Sequence, residues 1–196
     1  LKLIFKSKKN HNLIKNSINK KLNKNKVIIT KSVDQNLVKS LYKIKAIDLN
    51  RFKDPSYGNA KGSDYKLFES NDKITELLKN DLIEIASNYV NSEVFFRDSF
   101  FTILGKGGIV KKHNHIGYID SFKPLNLYKQ KFSLVYYLSI GDQNCKNPGI
   151  LKFYDPIEEI LPFEGMIIIF PADRYHSVIY EGKTDRIIIG VNFYSI

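Results

Sequence analysis

The sequence changes character near Glu93, and this change constrains the fold more than any other feature. From there to the end of the chain, short runs of β-branched and aromatic residues are separated by Gly, Pro, Asn and Asp. Because no helical pattern lies between the runs, a parallel α/β fold is disfavoured. The pattern predicts a mostly β chain, a β-sandwich or jelly roll, with strands at residues 94–104, 109–113, 131–140, 150–154, 166–170, 175–180 and 186–195.

Two helices are predicted before the strands, and we expect them to support the sheet. Residues 34–44 carry apolar side chains at helical spacing, and residues 72–91 carry a longer apolar stripe that Ser70 or Asn71 can cap. The stretch 45–69 reads as irregular, because Pro and Gly interrupt it. The stripe of the second helix consists of Ile74, Leu77, Leu78, Leu82, Ile85, Ala86 and Tyr89.

The net charge of +11 is concentrated at one end of the chain. Residues 1–33 hold ten of the 31 basic residues and no acidic residue, which leaves 21 basic against 20 acidic residues in the remainder. We therefore expect a Lys/Asn-rich basic tail over 1–33, with a short strand at 27–30, and one domain over 34–196. The tail has no arginine and only Phe5 as an aromatic, so it offers little for base stacking and gives no firm sign of a nucleic-acid partner.

Composition also excludes several classes of protein. Cys145 is the only cysteine, so no disulfide can form within the chain. No apolar run approaches the roughly 20 residues that cross a bilayer, and no secretory signal is visible. The expectation is a cytoplasmic chain that does not bind membranes; its oligomeric state is not readable from the sequence.

Three of the four histidines lie in the β-rich part. His113 and His115 are two residues apart, and on a strand such residues point to the same face. His176 follows a strand that ends at Pro171. Imidazole binds iron, zinc, copper and nickel, so these three rings are candidate metal ligands. The H-x-H pair alone is weak support for a metal site, and the presence of His176 strengthens that support.

Arg186 begins the last predicted strand, ten residues after His176. An arginine that faces the interior of a β-barrel is costly unless it meets an anion, and its planar guanidinium suits a carboxylate. The alternative is an arginine at a sheet edge that pairs with Asp185 or Glu181. The sequence leaves both open.

Taken together, the glycine turn, the H-x-H pair, the later His and the Arg resemble the Fe(II)/2-oxoglutarate-dependent dioxygenases. The resemblance covers roughly residues 94–195 and is most specific in GMIIIFPADRYHSVIYEGKTDRIIIGVNF, and FSLVYYLSI…NPGILKFYDP looks like the central strands of that family. The resemblance implies a double-stranded β-helix, which is the cupin-like jelly roll. Within the family, the chain looks like the prolyl hydroxylases. It also implies Fe(II), O2 and 2-oxoglutarate, which is decarboxylated to succinate while an unidentified small molecule or peptide is hydroxylated.

Carried over residue by residue, the resemblance implies that His113 and His176 are the two histidine ligands of the metal. His115 stands where the family usually has a carboxylate, so this chain departs from the pattern. Either His115 binds the metal and gives a neutral three-nitrogen site, or that position is left unfilled and water completes the shell. Imidazole ligates iron, so the departure is compatible with Fe(II).

The remaining co-substrate site is also implied by the resemblance. Arg186 takes the position that grips the distal carboxylate of 2-oxoglutarate, and Tyr137 or Tyr136 is expected to assist it. Asn192 is a further candidate that either faces the pocket or bonds the backbone. We expect pocket residues from 45–69 and 116–131, the second of which includes an insertion at about 122–131 that forms either a substrate loop or an ordinary surface excursion.

Two other functions stay open. The same histidines match the cupin boxes, which predicts a three-His thiol dioxygenase or isomerase, although Asp173 replaces a glycine of the second box and Ile119 and Asp120 stand where a Glu is expected. A metal-free binding module that uses the basic tail is the third reading. The cupin residues are Gly107, His113, His115, Gly165, Pro171 and His176.

Overall fold

The computed structural model describes residues 26–53, 57–122, 124 and 126–196. Residues 1–25, which make up most of the expected basic tail, lie outside this part. In chain order, the helices and strands are β1 (Val27–Thr30), α1 (Gln35–Leu49), β2 (Gly58–Gly62), α2 (Lys73–Val90), β3 (Val94–His113), β4 (Lys131–Ser139), β5 (Leu151–Tyr154), β6 (Ile157–Ile160), β7 (Met166–Pro171), β8 (His176–Tyr180) and β9 (Arg186–Ser195).

The strands form one antiparallel sheet that folds over on itself. Its order is β1-β7-β4-β9-β3-β8-β5-β6, and β2 pairs with β3. Strand β3 belongs to both halves, because Val94 to Leu104 pair with β9 and Gly108 to His113 pair with β8. This arrangement is a jelly roll of two facing layers, which confirms the predicted double-stranded β-helix.

Glycines let β3 pass from one layer to the other. Gly107 has a φ of +80°, which L-residues with side chains rarely adopt. A Cβ at Gly108 would lie 2.9 Å from the carbonyl oxygen of Gly105. The backbone can therefore turn sharply here while it keeps its pairing on both sides.

The two faces of the main layer bury different clusters. Alternate residues of β4, β7 and β9 point to opposite faces, and both faces are covered, so these strands read as continuous apolar runs. One face packs against α1 and α2 through side chains such as Leu41, Leu82 and Ile189. The other faces the second layer through side chains such as Phe153 and Ile168.

The helices agree with the sequence except at their ends. Helix α1 continues to Leu49, beyond the expected end at residue 44, and α2 matches its predicted range within one residue. The cap of α2 was predicted wrongly: Asp72, rather than Ser70 or Asn71, accepts a hydrogen bond from the Ile74 N–H at 3.1 Å. No helix in the described part is both long and apolar enough to cross a membrane.

Three strands differ from the sequence-based expectation. The runs predicted at 94–104 and 109–113 are one strand, since glycines bend β3 without ending it. Strand β2 has the sequence GNAKG, which carries no β propensity and forms only because it pairs with β3. Strand β6, with two central glutamates, lies at the outer end of the second layer next to β5. The short strand expected at 27–30 is present as β1, hydrogen bonded to β7.

The packing of α2 on the sheet predicts a large difference between two leucines of the same helix. Leu82 is fully buried and Leu77 is 58% exposed. We expect Leu82→Ala to lower the free energy of unfolding by about 3 kcal/mol, because it leaves a cavity. The matched control Leu77→Ala should change it by less than about 0.5 kcal/mol. Urea unfolding of both variants checks this, and equal effects would contradict the packing described.

Candidate metal centre

A cavity of about 670 Å³ lies between the two layers. The cavity wall includes His113, His115, His176, Tyr137 and Arg186. The expected contribution of 45–69 is present, through residues between Phe52 and Tyr65. Within the described residues of 116–131, none lines this cavity, so the second expected source of pocket residues is not found there.

Strand pairing brings two of the histidines together. His113 ends β3 and is the direct partner of His176, the first residue of β8. His115 lies two residues beyond the end of β3, not on the strand as the sequence suggested. Its backbone N–H donates to the carbonyl of Ala172 at 2.8 Å, which holds it beside the turn before His176. The rings therefore meet although only His113 and His176 belong to strands.

The three rings form one compact group. One potential ligand nitrogen from each of His113, His115 and His176 lies within 4.8 Å of the other two. The Nε2 atoms of His115 and His176 are 3.3 Å apart. Two nitrogens bound to one metal at about 2.1 Å and at angles of 90 to 110° would be about 3.0 to 3.4 Å apart. The spacing of this pair therefore fits a shared metal ion.

Hydrogen bonds on the outer side of two rings set the direction of their lone pairs. The Nδ1 of His113 is 2.7 Å from the carbonyl oxygen of Lys111, and the Nδ1 of His176 is 3.0 Å from that of Arg174. A carbonyl only accepts, so each Nδ1 carries the proton and each Nε2 keeps a free lone pair. This is the arrangement that metal-binding histidines commonly show.

The ring of His115 is supported by a side-chain network instead. The amide nitrogen of Asn192 lies 3.3 Å from His115 Nδ1 and 3.3 Å from Asp98 Oδ2. The Ser133 hydroxyl donates to Asn192 Oδ1 at 2.9 Å. Asn192 thus bonds side chains, whereas the sequence left open whether it faces the pocket or bonds the backbone. Sequence reasoning missed Asp98 and Ser133. They meet Asn192 because they are its partners on β3 and β4, which only the strand register reveals.

Burial keeps the imidazoles of His115 and His176 neutral. It lowers the pKa of His115 to about 2, with further lowering by His176 and His113 nearby. It lowers the pKa of His176 to about 4, and His113 adds to this effect. Neutral imidazole is the form that binds a metal, so these two rings are ready to ligate at neutral pH.

Arg186 is buried in the same cavity and has no acidic partner in the described part of the chain. It is 3% exposed, and its guanidinium carbon lies 5.0 Å from the ring centre of Tyr137. No carboxylate within the described ranges forms an ion pair with it, and its Nε has no hydrogen-bond partner there. The carboxylate of Asp185 instead accepts from the Tyr42 hydroxyl at 2.6 Å. The structure therefore does not contain the alternative arrangement, in which Arg186 pairs with Asp185 or Glu181 at a sheet edge.

The surroundings of Arg186 leave its charge directed at the cavity. Desolvation lowers the pKa of its guanidinium, and the neighbouring Tyr137 opposes that shift. A Cβ at Gly149, whose φ is +83°, would approach the Arg186 side chain to 3.0 Å, so a glycine is needed beside it. Tyr137 lines the cavity, whereas Tyr136 packs in the cluster under the helices. A buried cation of this kind favours the binding of an anion.

Asp120, which stands near the expected cupin glutamate, has a different role. Its carboxylate accepts from Lys131 at 2.8 Å, from the N–H of Gly117 at 2.6 Å, and from the Tyr194 hydroxyl. These bonds hold the segment after His115 against β4 and β9. Asp120 is therefore a structural anchor and does not belong to the histidine group.

The neutral histidines make metal-free protein sensitive to acid. In the unfolded chain a histidine has a pKa near 6.5, while in the folded chain the pKa of His176 is about 4. Below pH 6.5 the unfolded state binds protons first, so stability is complete above that pH and falls as pH decreases. We expect a loss of about 1 kcal/mol per pH unit, and at most about 1.4, for each buried histidine between pH 6 and pH 4.5. Urea unfolding at several pH values, with a chelator present, measures this loss. The double variant His115→Gln/His176→Gln should show a clearly smaller dependence of the unfolding free energy on pH. An equal dependence in the double variant and the wild type would contradict the assignment of the acid sensitivity to these histidines.

The three-histidine group also predicts a metal site whose affinity depends on its supporting residues. We expect His176→Ala to weaken Co²⁺ binding by more than roughly 100-fold, because a ligand is lost. Asn192→Leu should weaken it roughly 10- to 100-fold, because the His115 ring loses its support. Titration of the visible Co²⁺ spectrum measures both, with thermal unfolding as the test of folding. His11→Ala changes a histidine outside the group and should leave the Co²⁺ affinity unchanged. Loss of affinity in His11→Ala without loss in His176→Ala would contradict the assignment of the metal site.

Comparisons with known proteins identify the fold. No family model and no curated protein matches the sequence. Solved structures do match. One is the viral collagen prolyl hydroxylase vCPH of Paramecium Bursaria Chlorella virus-1, solved with 2-oxoglutarate. Its TM-score is 0.65 at 14% sequence identity, and the match covers 87% of this chain and 96% of the hydroxylase chain. A Pseudomonas putida prolyl-4-hydroxylase has a TM-score of 0.59 at 15% identity, covering 87% and 92%. HygX of Streptomyces hygroscopicus, solved with nickel, 2-oxoglutarate and hygromycin B, has a TM-score of 0.62 at 12% identity, covering 87% and 83%. The chain therefore has the fold of the 2-oxoglutarate/Fe(II) oxygenases.

Proposed function

We propose that this protein is an Fe(II)- and 2-oxoglutarate-dependent oxygenase that hydroxylates an organic substrate. The observation that carries the proposal is the presence of two features in one cavity. Three imidazoles converge at one place, and a buried guanidinium with no acidic partner among the described residues lies at another. The first suits a transition metal and the second suits a carboxylate, and an oxygenase of this class needs both.

In this proposal His113 and His176 bind Fe(II) through Nε2, and His115 supplies the third nitrogen. Their outer hydrogen bonds fix the rings before the metal arrives, which reduces the cost of ordering them on binding. Replacing the usual carboxylate with His115 leaves the centre one charge more positive than in the family pattern. Imidazole is a good ligand for iron, so the donor set is compatible with Fe(II).

Arg186 holds the far carboxylate of 2-oxoglutarate in this proposal. Its charge is desolvated, so a charge-assisted bond to a carboxylate is stronger there than in water. The Tyr137 hydroxyl is buried and has no acceptor for its proton among the described residues, which makes it available to donate to the same carboxylate. Apolar side chains such as Val178 and Ile188 line the cavity nearby and keep water away from the reacting groups.

The bound Fe(II), with O2 and 2-oxoglutarate, supplies the chemistry: one oxygen atom goes to the succinate formed with loss of CO2, and the other is inserted into a substrate C–H bond. The chain orients the co-substrate, excludes water and places the substrate. Similar folds have been solved with different kinds of molecule bound: one neighbour is a Trichoplax adhaerens prolyl hydroxylase in complex with a peptide fragment, and HygX was solved with hygromycin B. Either a small molecule or a peptide is thus a candidate substrate.

The proposal is tested by binding and by turnover in the same preparation. We expect 2-oxoglutarate, added to Fe(II)-loaded protein without oxygen, to produce a visible metal-to-ligand charge-transfer band. With oxygen, succinate should be released slowly even without substrate. A cupin-type enzyme with three histidines predicts neither result. Iron bound at full occupancy with no band and no succinate would contradict the proposal.

Arg186 gives the matched mutational test. Arg186→Gln should raise the apparent Kd for 2-oxoglutarate by at least roughly 30-fold, since loss of one partner of a buried charge-assisted pair costs about 2 kcal/mol or more. Arg97 lies exposed on β3, so Arg97→Gln should leave that Kd unchanged. Titration of the charge-transfer band measures both variants. An equal Kd in wild type and Arg186→Gln would remove Arg186 from the co-substrate site.

A further inference from the structure

We infer that Asp98 is a positioning residue. Through Asn192 it decides which ring nitrogen of His115 carries the proton, and it thereby limits how tightly the histidine group binds a metal. The inference rests on the metal site of the proposed function, and its first test needs no metal. The order of donors and acceptors in one buried row of side chains supports it.

Strand register places three polar side chains in one row beside His115. Asp98 on β3 and Ser133 on β4 are both direct partners of Asn192 on β9. Asn192 and Ser133 are buried, so water competes little for their hydrogen bonds. Within the described part of the chain, the Asn192 amide bonds to Asp98, Ser133 and His115. The chemistry of these three partners therefore decides which way the amide points.

Asp98 fixes the orientation of the Asn192 amide. An ionised carboxylate only accepts hydrogen bonds, so the amide nitrogen, and not the amide oxygen, faces Asp98 Oδ2 at 3.3 Å. With the amide reversed, two acceptors would face each other at this place. The amide oxygen points instead to the Ser133 hydroxyl, which donates to it at 2.9 Å. This orientation leaves the second hydrogen of the amide nitrogen for His115.

The Nδ1 atom of His115 accepts that second hydrogen, 3.3 Å from the amide nitrogen. A ring nitrogen that accepts carries no proton, so the proton of this ring is on Nε2. His176 provides an acceptor for it. The Nδ1 of His176 donates to the Arg174 carbonyl, and its Nε2, which keeps a lone pair, lies 3.3 Å from Nε2 of His115. In metal-free protein the proton of His115 thus lies between the two rings.

This proton opposes a metal at the same place. His113 and His176 both offer Nε2 lone pairs, because their Nδ1 atoms donate to backbone carbonyls. For His115 to bind through Nε2, that atom must lose its proton and Nδ1 must gain one, so that the ring stays neutral. Nδ1 then needs an acceptor, which requires the Asn192 amide to turn its oxygen toward His115 and Asp98. The carboxylate opposes this turn, so Asp98 lowers the metal affinity.

The position of the proton on His115 is measured directly in metal-free protein. The method is long-range proton–nitrogen correlation NMR of the full chain with isotopically labelled histidine and a chelator present. We expect a proton on Nε2 of His115 and on Nδ1 of His113 and His176. The signals of His115 are those that disappear in His115→Gln. A proton on Nδ1 of His115 in the wild type would overturn the inference.

Asp98→Asn tests the effect on metal affinity with almost no change of shape. An asparagine can donate to the Asn192 oxygen, so the reversed amide is no longer opposed, and we expect Co²⁺ to bind roughly tenfold more tightly. If Asp98 acted only as a negative charge or as support for the ring, the same change would weaken binding or leave it unchanged. Asp48, exposed on α1, gives the control: Asp48→Asn should leave the Kd for Co²⁺ unchanged. Thermal unfolding verifies that both variants are folded.

The outcomes separate this inference from the proposed function. Tighter Co²⁺ binding by Asp98→Asn, together with the Nε2 proton on His115 in the wild type, supports the role of Asp98. An equal or weaker affinity in Asp98→Asn overturns that role, while a charge-transfer band and succinate release in the wild type still support the oxygenase. A gain in affinity in protein that shows neither band nor succinate supports the role of Asp98 and overturns the oxygenase.

Discussion

The pairing of β3 with two different strands is the constraint on which the site depends. Near its middle, Leu104 pairs with Arg186 of β9 in one layer. At its end, His113 pairs with His176 of β8 in the other layer. One strand therefore fixes the positions of the guanidinium and of two imidazoles at once. The glycine bend between these two points turns the layers toward each other, so that both groups line a single cavity.

The energetics of this cavity are unfavourable without ligands, and this is informative. A guanidinium that is 3% exposed and has no acidic partner in the described part of the chain costs free energy that the fold must offset elsewhere. Buried histidines with lowered pKa values likewise lose protonation that they would have in water. Groups of this kind collect at functional sites more often than elsewhere. Here each has the chemistry to bind a specific partner, a metal for the imidazoles and a carboxylate for the guanidinium.

Sequence reasoning succeeded where one local pattern decides the outcome. The apolar runs of β4, β7, β8 and β9, and the helical stripe of α2, identified most of the fold. It failed where pairing decides: β2 is a glycine-rich segment that is a strand only because β3 lies beside it. His115 was expected on a strand and is instead held by a bond to Ala172. The choice between Tyr136 and Tyr137 could not be made either, because it depends on which face of β4 meets the cavity.

The central claim is that three imidazoles and one guanidinium serve the same cavity as a metal site and a carboxylate site. A crystal structure of the protein with Ni²⁺ and 2-oxoglutarate tests it most directly. The account predicts one metal bound by Nε2 of His113 and His176 and by the imidazole of His115, with the far carboxylate of 2-oxoglutarate on Arg186. A metal bound elsewhere, or a 2-oxoglutarate that leaves Arg186 without a partner, would contradict it.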